Sequence, residues 1–234
     1  MAGMEHEVLP EPLIPSIGWN VVHLFVKPTS SVDVDRVRDA DERLEKEGGQ
    51  VVVASILGHK ADACLMGLAE DVWALRRWQS KIQGAGLEVV DSYVSLTEVS
   101  EYAAGAPAAM LEARLHPHLP PEGMRSFCFY PMSKRRGETN NWYALAFDDR
   151  KALMMAHGAS GRTFAGRILQ VITGSTGLDD YEWGVTLFGV HPDDIKACVY
   201  TMRFDEASTL YAEFGPFYVG AVGTLDEVVG SIAR

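Results

Sequence analysis

Residues 18–56 read GWNVVHLFVKPTSSVDVDRVRDADERLEKEGGQVVVASI, and the residue pattern changes twice along them. An apolar run at 18–29 ends at a proline and is typical of a β-strand. From 31 to 47, apolar residues recur every three or four positions, and this helical pattern ends at Gly48-Gly49. A second apolar run follows at 50–56. The stretch therefore predicts a strand, a helix and another strand.

Three further elements follow this stretch. Apolar segments at 63–68 and 87–99 indicate strands, and residues 70–83 carry a helical apolar stripe between them. The predicted order is β-α-β-β-α-β, which is the ferredoxin-like arrangement.

A second set of elements follows a linker rich in Ala, Pro and His. Strands are expected near 126–130, 141–147, 171–173, 181–188 and 214–222, and helical segments at 148–157, 162–170, 192–204 and 204–212. The predicted segments are an N-terminal extension at 1–16, a first half at 17–100, a linker at 101–124 and a second half at 125–234. We expect an α+β protein built from two similar halves with antiparallel sheets.

Composition restricts the classes of partner. The chain has 234 residues, 47% of them hydrophobic, and a formal net charge of −11, which argues against nucleic acid and anionic membranes as partners. It has no run of about 18 apolar residues and no secretory leader pattern at its start, so we expect a soluble cytoplasmic protein. The three cysteines lie far apart in the sequence and are interpreted as reduced and structural.

Positive charge is concentrated between residues 114 and 167. Nine Lys or Arg stand there against four acids: Arg114, Arg125, Lys134, Arg135, Arg136, Arg150, Lys151, Arg162 and Arg167. Such a cationic island suits a small ligand with several negative charges, because local cations pair well with carboxylates or phosphates. A solvated set of helix charges is the alternative.

The stretch YPMSKRR, residues 130–136, is the first candidate site. A turn after a strand can present the Tyr130 phenol and the Lys134 ammonium to the same anion. Without further information, Tyr130 is equally interpretable as a packing residue at a strand end.

His157 is the second candidate, because it follows the apolar run LMMA and neutral imidazole is a good ligand for iron. The alternative is a histidine near the C-terminal carbonyls of a helix that Gly158 ends. Glu182 is a candidate acceptor for the second ring N–H of His157. The neighbouring acids Asp179 and Asp180 are interpreted as caps and ion pairs rather than as metal ligands.

The stretches YPMSKRR, NNWYALAFDDRKALMMAHGASGRTFAGRILQVITGSTGLDDYEWGVTLF and MRFDEAS closely resemble the coproheme decarboxylases of the chlorite dismutase superfamily. The resemblance runs nearly continuously from 114 to 220. It implies two ferredoxin-like halves joined through their sheets as a dimeric α+β barrel-type subunit, a porphyrin in the second half, and a homopentamer. It also implies the substrate coproheme (iron coproporphyrin III), hydrogen peroxide as oxidant, heme b as product through a three-propionate intermediate, and a ferrochelatase as a possible partner.

The resemblance also implies residue roles. His157 is the expected proximal iron ligand, and Tyr130 the residue that becomes a radical and abstracts hydrogen from a propionate. Lys134 is expected to anchor the reacting propionate. The rest of the expected substrate-binding set is Arg114, Pro131, Met132, Ser133, Gln170 and Ser208, in a chain whose linker before Tyr130 is longer than in these decarboxylases.

Three residues bear on alternatives within the family. Chlorite-degrading relatives have an arginine where this chain has Gln170, so chlorite dismutation or general peroxidase activity is the less favoured reading. His118, in a His-Leu-Pro stretch, is a candidate distal base. Trp142 is interpreted as packing, with a redox role as the alternative. A heme-binding protein without turnover is the remaining alternative, and it would not need an oxidisable phenol beside a propionate.

Overall fold

The first half has the predicted order of elements. The computed structural model describes residues 10–103 and 105–233, so residues 1–9 of the predicted extension lie outside the described part. The elements are β1 (Asn20–Pro28), α1 (Val34–Lys46), β2 (Gln50–Ile56), β3 (Ala63–Ala69), α2 (Val72–Gly84) and β4 (Leu87–Thr97). The Asp33 carboxylate accepts the Arg36 N–H and so caps the start of α1, and Gly48 follows the helix at a φ of 91°, which favours glycine.

The second half adds five strands and four helices beyond the linker helix. Their bounds are α3 (Ala108–Leu115) in the linker, then β5 (Ser126–Lys134), α4 (Phe147–Arg162), β6 (Ile168–Gly174), β7 (Trp183–Gly189), α5 (Pro192–Met202), α6 (Glu206–Tyr211), β8 (Ala212–Phe214), β9 (Tyr218–Val222) and α7 (Leu225–Ile232). Two short 3₁₀ turns, Glu101–Ala103 and Trp142–Ala144, complete the described elements. The sequence patterns did not predict α3 or α7.

Two predictions in the second half were wrong. The strand expected at 141–147 is a 3₁₀ turn followed by α4, because the Asn141 side chain accepts the Tyr143 N–H and turns the backbone. The helical stretch expected at 162–170 contains the end of α4 and the start of β6. Gly166, at a φ of 80°, lies between them and allows the reversal of the chain.

The strands form one closed antiparallel ring. Around the ring the order is β1, β3, β2, β9, β5, β7, β6 and β4, and β8 pairs with the end of β5. The two halves meet at β2–β9, where Ala54 pairs with Val222, and at β4–β6, where Leu96 pairs with Gly174. The expected dimeric α+β barrel is therefore confirmed. The division into four segments stays a prediction.

The inside of the barrel is aromatic. Phe25, Phe127, Phe129 and Phe188 are at most 1% exposed, and the rings of Phe25 and Phe129 are 5.4 Å apart. His23 also lies there, with its Nε2 2.9 Å from the Thr186 hydroxyl, and burial lowers its pKa to about 3. This histidine is therefore a neutral core residue.

The alternation of β5 places the next residues on the opposite face. Phe127 and Phe129 point into the barrel, whereas Cys128 and Tyr130 belong to the apolar layer under the helices of the second half.

The three cysteines are free and buried, as expected. In the described ranges, no helix has the length and apolarity that crossing a bilayer requires.

Candidate functional site

A large cavity lies on the outer face of the second-half sheet, between β5–β7 and the helices α4–α6. Its volume is about 1120 Å³, which is above the ~300–1000 Å³ of ordinary small-molecule sites. Residues of the linker, among them Tyr102, Leu111 and Leu115, also line the cavity. By its volume, the cavity can therefore accept a large molecule.

The sheet side of the cavity is set by strand register. Tyr130 on β5 pairs with Val185 on β7, which pairs with Ile172 on β6, so these three side chains form one row. Leu187 and Gln170 pair in the adjacent row. Since neighbouring strands are about 4.8 Å apart, Tyr130 and Gln170 lie on one face and are separated laterally by about 10 Å.

The helix side presents His157. Its Nδ1 lies 3.0 and 3.1 Å from the two carboxylate oxygens of Asp205, and the ring borders the cavity. Asp205 is the N-cap of α6 and also accepts hydrogen bonds from the Ser208 N–H and hydroxyl, at 3.0 and 3.1 Å. Because Asp205 is held by the helix cap, it fixes the proton on Nδ1 and leaves the Nε2 lone pair for a metal.

Two expectations about this histidine were wrong. The α4 helix continues to Arg162, so Gly158 does not end it and His157 lies within the helix. The acceptor of its ring N–H is Asp205, not Glu182.

Glu182 instead connects the end of β5 to the loop before β7. It accepts the Lys134 backbone N–H at 2.7 Å and lies 3.7 Å from Arg136. Asp179 accepts the Val94 N–H at 2.8 Å. Among residues 10–103 and 105–233, no group of three or more His, Cys, Asp or Glu side chains is arranged to hold a metal ion.

Lys134 is buried on the wall of the cavity. Its Nζ lies 4.2 Å from the centroid of the Trp142 ring and 3.4 Å from the Ala207 carbonyl oxygen. Burial lowers the pKa of this ammonium to about 8, although Asp205 and Glu182 act in the opposite direction. The lysine therefore lacks a close carboxylate partner within the described chain and can gain one from a ligand.

Tyr130 is 8% exposed and contacts two aromatic rings. Its ring lies 4.5 Å from that of Phe217 and 5.7 Å from that of Phe214. Burial raises the pKa of the phenol, which is therefore neutral and retains its O–H hydrogen. No described residue forms a hydrogen bond with its hydroxyl.

The other expected site residues separate into two groups. Met132, Gln170 and Ser208 border the cavity together with Tyr130, Lys134, Trp142 and His157. Pro131 and Ser133 are not part of the cavity wall. Pro131 is buried, and the Ser133 hydroxyl accepts the Glu182 N–H at 3.3 Å.

Two linker residues also lie away from the cavity wall. Arg114 is exposed on α3, which turns Leu111 and Leu115 toward the cavity instead. His118 is exposed in the linker after α3, outside the cavity wall. Their suggested roles stay predictions.

The cationic island is not collected around the cavity. Of its nine cations, Lys134 and Arg150 border the cavity. Four others are in ion pairs elsewhere in the described chain: Arg125 with Glu227, Arg135 with Glu213, Arg136 with Glu182 and Arg167 with Asp194. Most of the island is therefore ordinary surface charge, and two carboxylates, Glu98 and Glu101, border the cavity as well.

Sequence reasoning missed the role of Asp205, and it named Arg150 only as one member of the cationic island. The stretch Asp205-Glu206-Ala207-Ser208 is a recognisable helix start, since Asp is a favoured N-cap. Nothing in the local pattern indicated that this cap also holds His157, which is 48 positions away.

The closed ring of strands and its helix-covered outer cavity define a dimeric α+β barrel. The model of the chlorite dismutase family matches residues 33–223, and the chain belongs to that family. The chain is 41% identical over 232 residues to the coproheme decarboxylase of Staphylococcus carnosus, with 88% of this chain and 92% of that protein covered.

Two further relatives are described by heme binding. A Natronomonas pharaonis protein whose name describes heme binding is 41% identical over 241 residues, which cover 87% of this chain but only 39% of that longer protein. The solved structure of a heme-binding protein from Thermus thermophilus superposes with a TM-score of 0.82 at 34% identity, and covers 96% of this chain and 98% of that one.

Proposed function

We propose that this protein catalyses the hydrogen-peroxide-dependent oxidative decarboxylation of two propionates of coproheme, giving heme b through a three-propionate intermediate. One observation carries the proposal: a histidine held by a carboxylate, a buried neutral phenol and a buried lysine border the same large cavity. The coproheme decarboxylase name of the Staphylococcus carnosus relative supports it.

Each side of the cavity has a distinct task in this proposal. His157, on the helix side, holds the iron through Nε2, and the Asp205 carboxylate increases the electron donation of the imidazole. The iron of the bound substrate reacts with peroxide and supplies the oxidising power. Gln170, on the sheet side, offers a neutral amide rather than a guanidinium. A neutral amide binds an oxyanion such as chlorite only weakly.

Tyr130 and Lys134 act on the propionate that reacts. Lys134 binds the carboxylate by a charge-assisted hydrogen bond, and the Tyr130 radical abstracts a hydrogen atom from the propionate side chain. Loss of CO₂ then leaves a vinyl group, and the second electron goes to the substrate iron that peroxide has oxidised. For each propionate, one H₂O₂ and one proton are consumed, and one CO₂ and two H₂O are formed.

The remaining parts of the proposal concern the setting of the reaction. We infer a cytoplasmic homopentamer that receives coproheme from a ferrochelatase. The alternative is a heme-binding protein without turnover, which the names of the Natronomonas pharaonis and Thermus thermophilus relatives favour. The buried phenol beside the cavity supports decarboxylation, since storage of a porphyrin does not need it.

Mass spectrometry tests the reaction directly. Purified protein loaded with iron(III) coproporphyrin III receives hydrogen peroxide in stepwise equivalents, and the porphyrin is extracted after each step. We expect two successive products, each lighter by one CO₂ and two hydrogens, with heme b as the end point. Bound coproheme that is bleached or unchanged by peroxide would contradict the proposal and favour the heme-binding alternative.

The affinity for a coproporphyrin should depend on pH through Lys134. Its pKa of about 8 in the empty protein must rise when a carboxylate binds, so binding takes up a proton above pH 8. Affinity is therefore fully present below about pH 8 and should fall by up to about tenfold per pH unit above it. Fluorescence titration with zinc coproporphyrin III between pH 7 and 10 measures this.

A Lys134→Gln variant provides the control for this slope. It should bind more weakly at pH 7 and show a flat profile between pH 8 and 10. If the wild-type protein and the variant have parallel profiles, Lys134 does not bind a carboxylate.

A further inference from the structure

The side chain of Arg150 connects α4 to the linker at the border of the cavity. Its Nε donates to the Tyr102 hydroxyl at 3.0 Å, and one Nη donates to the Leu145 carbonyl oxygen at 2.8 Å. The other Nη lies 3.5 Å from a carboxylate oxygen of Glu101. Arg150 is only 19% exposed and borders the cavity together with Glu101 and Tyr102.

The guanidinium has capacity for a further partner. It carries five N–H donors, of which three are used by described residues. The contact with Glu101 is the longest of the three, and the Glu101 side chain is 54% exposed. A half-exposed ion pair of this length contributes little to stability, so an incoming carboxylate can displace it at low cost.

We propose that Arg150 is a second carboxylate-binding group of the cavity, at which a porphyrin propionate takes the place of Glu101. This inference rests on the proposed function and extends it to recognition of the substrate class. Among the described residues, Arg150 and Lys134 are the two cationic side chains that border the cavity. Together they favour a macrocycle with several carboxylates.

The exchange has a consequence for the linker. When a propionate replaces Glu101, the first residues of the linker lose one of their contacts with α4. The hydrogen bond from the Arg150 Nε to the Tyr102 hydroxyl can remain. Glu101 also places a negative charge at the cavity that repels a polycarboxylate. Removal of this charge should therefore strengthen binding.

Equilibrium titration with iron(III) coproporphyrin III at pH 7 and fixed ionic strength tests the inference. The variants are Arg150→Gln, Arg150→Lys and Glu101→Gln, with Arg162→Gln as the control because Arg162 is an exposed arginine of the same helix outside the cavity wall. Thermal unfolding by circular dichroism verifies that each variant is folded.

We expect Arg150→Gln to weaken binding by about tenfold or more. Arg150→Lys should weaken it less, since a lysine keeps the charge but cannot donate two parallel hydrogen bonds to a carboxylate. Glu101→Gln should strengthen binding by about two- to fivefold, and Arg162→Gln should leave it unchanged. An Arg150→Gln variant that binds as the wild type does, or a Glu101→Gln variant that binds more weakly, would overturn the inference.

The failure of this inference differs from that of the proposed function. If the wild-type protein binds and decarboxylates coproheme while Arg150→Gln and Arg162→Gln behave alike, only the role of Arg150 is lost. If the wild-type protein does not bind the porphyrin, both are overturned. If Arg150→Gln fails to fold, Arg150→Lys replaces it, because this variant keeps the positive charge and should still bind coproporphyrin more weakly than the wild type does.

Discussion

Replacement of Tyr130 by phenylalanine is expected to abolish decarboxylation while leaving coproheme binding nearly unchanged. The phenol is buried between the Phe214 and Phe217 rings, and no described residue bonds to its hydroxyl, so loss of the oxygen creates no unsatisfied group. The variant lacks the O–H bond whose hydrogen atom is removed in the proposed step. We expect turnover to fall by about 1000-fold or more, which corresponds to about 4 kcal/mol in activation free energy.

Product analysis after peroxide addition, with affinity measured separately, tests this expectation. Tyr211→Phe is the matched control, since Tyr211 is a buried tyrosine that packs on Trp142, 5.4 Å from its ring, without bordering the cavity. It should retain turnover within about twofold of the wild type. Full turnover by Tyr130→Phe would exclude the radical role, and a large loss in both variants would point to general disturbance of the second half.

Replacement of His157 by alanine should remove the iron ligand. We expect iron(III) coproporphyrin III to bind about 100-fold more weakly, or about 3 kcal/mol, and turnover to be lost. Metal-free coproporphyrin III should bind nearly as it does to the wild type, because its carboxylate contacts remain. The comparison of the two porphyrins isolates the iron–imidazole bond from the rest of the cavity.

Asp205→Asn tests the support of this ligand. Asparagine can still cap α6, but it lacks the negative charge that the His157 N–H faces at 3.0 Å. We expect turnover to fall by about 10- to 100-fold and the iron–histidine stretching frequency in resonance Raman spectra to decrease. His191→Ala, at an exposed histidine before α5, serves as the control. For His157→Ala, an affinity for iron(III) coproporphyrin III equal to that of the wild type would contradict the first expectation. The iron ligand would then be another residue.

Sequence patterns predicted the first half well for a physical reason. Each of its six elements has a regular period and a clear end, such as the Asp33 cap and the Gly48 turn around α1. The second half was less regular because its sheet borders a cavity. Ile172 on β6 faces the cavity and is exposed there, so apolar residues stand on both faces of this strand and the start of β6 resembled a helix.

The candidate site divides in the same way. Tyr130, Lys134 and His157 stood out in the sequence because their neighbours form recognisable motifs, namely YPMSKRR and the apolar run before the histidine. Their convergence on one cavity depends on the alternation of β5 and on the position of α4, which local patterns only partly constrain. The placement of Arg114 and His118 on the exposed linker, away from the cavity wall, could not be predicted because the linker has little periodicity.

By itself, the sequence determined the order of most strands and helices, the ferredoxin-like arrangement of the first half and the residue types available for chemistry. Only the tertiary structure decided that the strands close into a ring, that Asp205 rather than Glu182 holds His157, and that Arg150 borders the cavity beside Glu101. The physical reason is the sequence separation over which each kind of interaction acts. Periodicity and capping act over a few residues, whereas each of these contacts joins segments about 50 or more positions apart, which only the packing of the whole chain brings together.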